Sequence, residues 1–109
     1  MEKIFNKLVR DNIPEIIKRN NEVAITRKLN EDEYRIELYK KMFEECKEVE
    51  ESKNSDELLE ELSDVLEIVK SIAELEGKKL DDVVMISNQK RLKRGGFTKR
   101  IFLEKTMDK

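Results

Sequence analysis

Two short segments, Asn30-Glu31-Asp32-Glu33 and Asn54-Ser55-Asp56-Glu57, constrain the fold more than any other feature of the chain. In each, an Asn precedes a Glu by three residues. At that spacing the two side chains cap each other's backbone N–H groups at the start of an α-helix. The first segment opens a helix running to about Ser52, whose apolar positions Ile36, Tyr39, Met42, Phe43, Cys46 and Val49 form one stripe. The second opens a helix that should end at Gly77, with a stripe of Leu58, Leu59, Leu62, Val65, Leu66, Val69, Ile72 and Ala73. Two helices this close in sequence are expected to fold back as an antiparallel helical hairpin over residues 30–77.

The flanks add shorter elements. The only proline, Pro14, suits a first helical turn, so a short helix is expected over about residues 14–20. Residues 22–29 are rich in branched side chains and alternate loosely, which predicts an extended segment or a small strand before the hairpin. A last helix should start at Leu80 or Asp81 and end at Arg94. Asp81 and Asp82 lie in its first turn, cations in its last, and Gly95-Gly96 beyond. Residues 97–103 form a short tail. The expected fold is all-α, a helical bundle built on the central hairpin, with residues 1–109 as one domain.

Composition narrows the chemistry. With 23 Lys+Arg against 25 Asp+Glu, no global basic field favours nucleic acid or an anionic membrane as partner. There is no His and a single Cys, Cys46, which removes the usual zinc sites, Ser-His-Asp and Cys-His systems and any internal disulfide. A metal would have to be held by oxygen. No apolar run approaches the ~20 residues needed to cross a bilayer, and the first residues lack a signal peptide's apolar region. A cytoplasmic protein is expected, and its thin core suggests self-association.

The hairpin carries two carboxylate pairs. Glu44-Glu45-Cys46-Lys47-Glu48 lies on its first helix and Glu61-Leu62-Ser63-Asp64 on its second. The i, i+3 spacing of Glu45 with Glu48 and of Glu61 with Asp64 puts both members of each pair on one helix face. If the turn is centred between Asn54 and Ser55, Glu48 comes level with Glu61 and Glu45 with Asp64, as two rungs across the hairpin. Helical-wheel directions place Glu61 and Asp64 at the border of the apolar side. Solvated acidic faces are common in so charged a chain. Four converging carboxylates, however, repel one another unless a cation neutralises them. Carboxylate oxygens without His or thiolate select hard cations, Mg²⁺ or Mn²⁺, and these suit phosphoryl-group hydrolysis.

Phosphate recognition needs cations from elsewhere. Lys7 and Arg10 stand near the start, and Lys90, Arg91, Lys93 and Arg94 beside Gly95-Gly96, where backbone can approach a ligand closely. Taken alone, the second cluster is better explained by helix-dipole and capping chemistry and by solubility. Cys46, on the apolar stripe, reads as a small buried hydrophobe rather than a nucleophile.

The pattern Glu44-Glu45-x-x-Glu48, then Glu61-x-x-Asp64, resembles the metal motif of the MazG-like superfamily of all-α nucleoside triphosphate pyrophosphatases. Lys7-Leu8-Val9-Arg10-Asp11-Asn12-Ile13-Pro14-Glu15-Ile16-Ile17 and Lys93-Arg94-Gly95-Gly96-Phe97 look like the flanking signatures of a small single-domain branch related to phosphoribosyl-ATP pyrophosphohydrolases. Cys46-Lys47 departs from the family, which often has an apolar residue first. The resemblance implies cleavage between the α and β phosphates of a nucleotide, giving monophosphate and pyrophosphate. Glu45, Glu48, Glu61 and Asp64 would be Mg²⁺ ligands, with Mn²⁺ a substitute, and Glu44 a supporting acid or one that orients water. Lys7, Arg10, Lys90 and Arg94 would touch phosphate. Asp11 would touch base or ribose, or merely cap a helix. Relatives usually form dimers or larger homo-oligomers, and many are thought to clear non-standard nucleotides. The phosphoribosyl-ATP step of histidine biosynthesis is the second enzymatic reading, and a non-catalytic helical regulatory or interaction module is the third.

Overall fold

Four α-helices and no strands make up the fold, joined by segments without regular secondary structure. The computed structural model describes all of residues 1–109. Helix α1 spans Ile13–Arg19, α2 Glu31–Glu51, α3 Ser55–Leu75 and α4 Leu80–Arg94. Their bounds lie close to those expected from the sequence because the caps act locally.

At the start of α2 the reciprocal cap is complete. The Glu33 N–H donates to Asn30 Oδ1 at 2.9 Å and the Asn30 N–H to Glu33 Oε1 at 3.3 Å. The Asn30 backbone and then Arg27 hold the Glu33 carboxyl below its ordinary value. At α3 the Glu57 N–H donates to Asn54 Oδ1 at 2.9 Å, but the Glu57 carboxylate accepts from the Lys53 N–H instead, at 2.8 Å. In α4, Asp82 Oδ2 accepts from the Lys79 N–H at 2.8 Å. Helix α3 ends as a Schellman motif. The Lys78 N–H donates to the Ala73 carbonyl and the Gly77 N–H to the Glu74 carbonyl, both at 3.0 Å, with Gly77 at φ 69°. Gly95, at φ 79° and ψ 179°, ends α4 in a region that only glycine adopts readily.

Residues 22–29 form no strand. A strand needs a neighbour to complete its hydrogen-bond ladder, and this chain has no second one.

Helix α2 packs chiefly on α3, and α4 rests on α3. Arg35, near the start of α2, pairs with Glu76 at the end of α3 at 2.9 Å, so opposite ends of the two helices lie together. The face of α2 turned to α3 carries Leu38 and Glu45, both buried, with Tyr34, Met42 and Val49 half-buried. This corrects the expected stripe. Ile36 (55% exposed), Tyr39, Phe43 (77%) and Cys46 lie in solvent, so Cys46 is no buried hydrophobe. On α3, Ile68 and Ala73 are buried and Leu58, Val65, Val69 and Ile72 half-buried, while Leu59, Leu62 and Leu66 are exposed. Each helix has a wider apolar surface than one neighbour can cover, and sequence period does not say which part the neighbour takes. The apolar core comes down to Leu38, Ile68 and Ala73. The radius of gyration is 18.8 Å, against about 13 Å for a compact domain of this size. No helix is long and apolar enough to cross a membrane.

Two substitutions test the helix ends. Asn30→Ala removes the α2 cap, and Gly77→Ala forces a side chain into a left-handed conformation. Each is expected to lower unfolding free energy in urea by about 1 kcal/mol. No change in either midpoint would show that these ends do not govern stability.

Candidate functional site

The acids come together where α2 crosses the first half of α3. One oxygen each from Glu45, Glu61 and Asp64 lies within 4.8 Å of the others. The three-residue turn between α2 and α3 is centred on Lys53, one to two residues earlier than the sequence reading placed it. That shift changes the register. Glu45 lies as far before Lys53 as Glu61 lies after it, so these two come level and Asp64 joins from the next turn of α3. Glu48 is exposed at the margin, facing both Glu45 and Glu61. The expected neighbours still meet, Glu48 facing Glu61 and Glu45 close to Asp64, and Glu45 and Glu61 approach each other as well, so the four acids form one cluster with Glu48 at its exposed edge.

The electrostatics follow from crowding and burial. Glu45 is 8% exposed. Burial pushes its carboxyl up to about 7, with a hydrogen bond to Glu48 and the charges of Glu48 and Asp64 acting in the same direction and Lys41 opposing them. Glu61 is also raised, chiefly by its hydrogen bond to Glu48, then by burial and the neighbouring charges. A hydrogen bond between two carboxyls needs a proton on one of them. When all are ionised, Glu45 Oε2 and Glu61 Oε2 are buried without any donor. Such orphaned anionic oxygens are costly unless a proton or a cation satisfies them. An all-oxygen set of this kind suits a hard divalent cation held by Glu45, Glu61 and Asp64, with Glu48 in reach.

Cations from two other segments border the acids. Arg10 Nη2 donates to Asp64 Oδ1 at 2.7 Å, and Lys7 Nζ lies 3.5 Å from Glu44 Oε1. The N-terminal segment is thereby laid along the helix pair beside the triad. Lys41, which the sequence reading did not single out, stands 3.9 Å from Glu45 Oε1 and 4.0 Å from Glu44 Oε2. Its i, i+4 spacing to Glu45 was the available signal, masked by many similar pairs in so charged a chain.

The remaining predicted residues lie elsewhere. Lys90 and Arg94 are exposed on α4 and form no ion pair with the acids. Asp11 is exposed in the turn before α1, where Asn12 takes the N-cap position and makes no side-chain cap, so Asp11 is not a helix cap. One chain therefore assembles Lys7, Arg10, Glu44, Glu45, Glu48, Glu61 and Asp64 and leaves the C-terminal basic cluster unpaired.

Compared with known proteins, the chain matches no family model, no curated protein and no solved structure.

The raised Glu45 carboxyl gives stability a pH dependence of definite sign. Its folded value, about 7, lies above the ordinary 4.5. The stabilisation from protonating it is thus full below about 4.5 and lost as pH rises through 7. In chelator, melting temperature should fall between about pH 5 and 8, and Glu45→Gln should flatten that fall. A variant as pH-sensitive as the wild type would contradict the burial of this charge.

Proposed function

We propose that this chain is a Mg²⁺-dependent nucleotide pyrophosphohydrolase of the MazG-like kind, cleaving a nucleoside triphosphate to monophosphate and pyrophosphate. The observation that carries the reading is the meeting of Glu45, Glu61 and Asp64 from two helices, with two buried oxygens lacking donors and Arg10 and Lys7 alongside. The resemblance of the acidic pattern and its flanks supplies the choice of reaction.

In this reading Glu45, Glu48, Glu61 and Asp64 hold Mg²⁺, with Mn²⁺ as substitute. Held there, a divalent cation would neutralise phosphate charge and lower the pKa of an attacking water. Arg10, now on Asp64, can share its planar fork between that carboxylate and a phosphate oxygen. Lys7 contributes a mobile positive charge to the polyphosphate. Glu44, paired with Lys7 and Lys41, would be a supporting acid or the one that orients water. Hydrolysis adds the elements of water across the α–β anhydride, and the pyrophosphate leaves. Non-standard nucleotides are the substrate class in view.

The reading includes a homo-oligomer, dimer or larger. Its support is the exposed apolar surface of Ile36, Tyr39 and Phe43 on α2 and of Leu59, Leu62 and Leu66 on α3, since contiguous exposed apolar patches commonly mark association sites. A second copy would also offer a route for Lys90 and Arg94 to reach an acidic site.

The decisive assay is pyrophosphate release from ribo-, deoxyribo- and modified nucleoside triphosphates and from phosphoribosyl-ATP, with Mg²⁺, Mn²⁺ or chelator. Cation-dependent release is expected, and Glu61→Gln should reduce it by more than about 100-fold with the fold intact. No release from the whole panel by folded, Mg²⁺-bound protein would leave a binding module instead. By sedimentation equilibrium the wild type should be a dimer or larger, and Phe43→Glu should shift it towards monomer. A monomeric wild type at micromolar concentration would remove the oligomer from the reading.

A further inference from the structure

Beside the acids, the N-terminal segment at residues 6–8 and one face of α2 line a small, open polar pocket of about 90 Å³. Lys7, Lys40 and Lys41 line it, together with Glu37 and Glu44. A pocket for a whole nucleotide-sized ligand is typically at least about 300 Å³, so this one matches a single tetrahedral oxyanion group in size and would leave the rest of a larger ligand outside it.

Charge decides what such a space can hold. Three ammonium groups face two carboxylates, which leaves a net positive charge. The carboxylates do not tie the lysines down: Lys7–Glu44 and Lys40–Glu37 are both 3.5 Å, and Lys41 stands 4.0 Å from Glu44 and 3.9 Å from Glu45. None of these contacts is a hydrogen bond, and N–H···O bonds lie nearer 2.7–3.2 Å. Each ammonium has three N–H donors, so donors remain available to a ligand. Lys41 is 24% exposed at its side chain and borders both the pocket and the acidic triad. A group bound in the pocket would thus lie next to whatever the acids hold.

The geometry points to a phosphate-binding subsite formed by Lys7, Lys40 and Lys41, which takes the distal phosphates of a polyphosphate and retains them as pyrophosphate after cleavage. The inference rests on the proposed hydrolase reading for its substrate and assigns Lys40 and Lys41 a role in it. Glu37 and Glu44 serve as counter-charges that keep the empty pocket from self-repulsion and release their lysines to the stronger, multiply charged oxyanion.

Calorimetric titration of the full chain with inorganic pyrophosphate, first in chelator and then with Mg²⁺, tests the subsite without requiring turnover. Pyrophosphate should bind in chelator. Lys40→Gln and Lys41→Gln should each weaken it on the order of tenfold, Lys40→Arg should restore most of the loss, and Glu61→Gln should leave chelator binding in place. Wild-type affinity in both Gln variants, absence of pyrophosphate binding, or sulfate binding as tightly as pyrophosphate would each overturn the subsite. Lysine-dependent pyrophosphate binding without turnover of any nucleotide would keep the subsite and remove the hydrolase. Turnover with pyrophosphate affinity insensitive to the lysines would do the reverse.

Discussion

Like charges held together by helix packing are the constraint on which the rest of this structure turns. Where α2 lies on α3, Glu45, Glu61 and Asp64 converge and Glu48 stands beside them. Their repulsion and desolvation oppose the contact between the helices, and only Leu38, Ile68 and Ala73 contribute buried apolar side chains in its favour. A proton on Glu45, or a cation among the oxygens, relieves the same strain. Protonation of Glu45 and fold stability are therefore linked at one place.

The ion pairs around this centre serve position more than stability. Arg10 with Asp64 and Lys7 with Glu44 are substantially exposed, and contacts of that kind are worth at most about 1 kcal/mol. What they accomplish is to lay an otherwise irregular segment along the acids. Without it the site would be a carboxylate patch open to solvent. With it the patch acquires guanidinium and ammonium donors and, around Lys7, a pocket. Arginine and lysine divide the work by shape: the fork on Asp64 is directional, whereas the lysines are mobile point charges.

The apolar surface left on α2 and α3 follows from the same economy of size. A chain of 109 residues that commits its central face to acids has few residues left for a core. The helices are amphipathic on more than one side, and a single neighbour covers only part of that surface. Phe43, Leu59 and Leu66 remain outside.

Local chemistry was legible in the residues themselves. Asn30, Asn54 and Gly77 mark their helix ends because caps and left-handed turns involve groups only a few residues apart. The gathering of Glu45, Glu61 and Asp64 could be read from helical spacing once a hairpin was assumed. What depended on tertiary structure was register and facing. Centring the turn on Lys53 put Glu45 level with Glu61, with Glu48 exposed but facing both. The choice of packing face left Ile36, Phe43 and Cys46 in solvent, and residues 22–29 found no strand to pair with. Lys40 and Lys41 line a pocket only because the N-terminal segment lies beside them. The sequence by itself determined which stretches are helical and which faces carry charge, since those follow from bonds within a turn or two. Only the tertiary structure decided which faces meet, because that depends on how distant segments compete for one small area of contact.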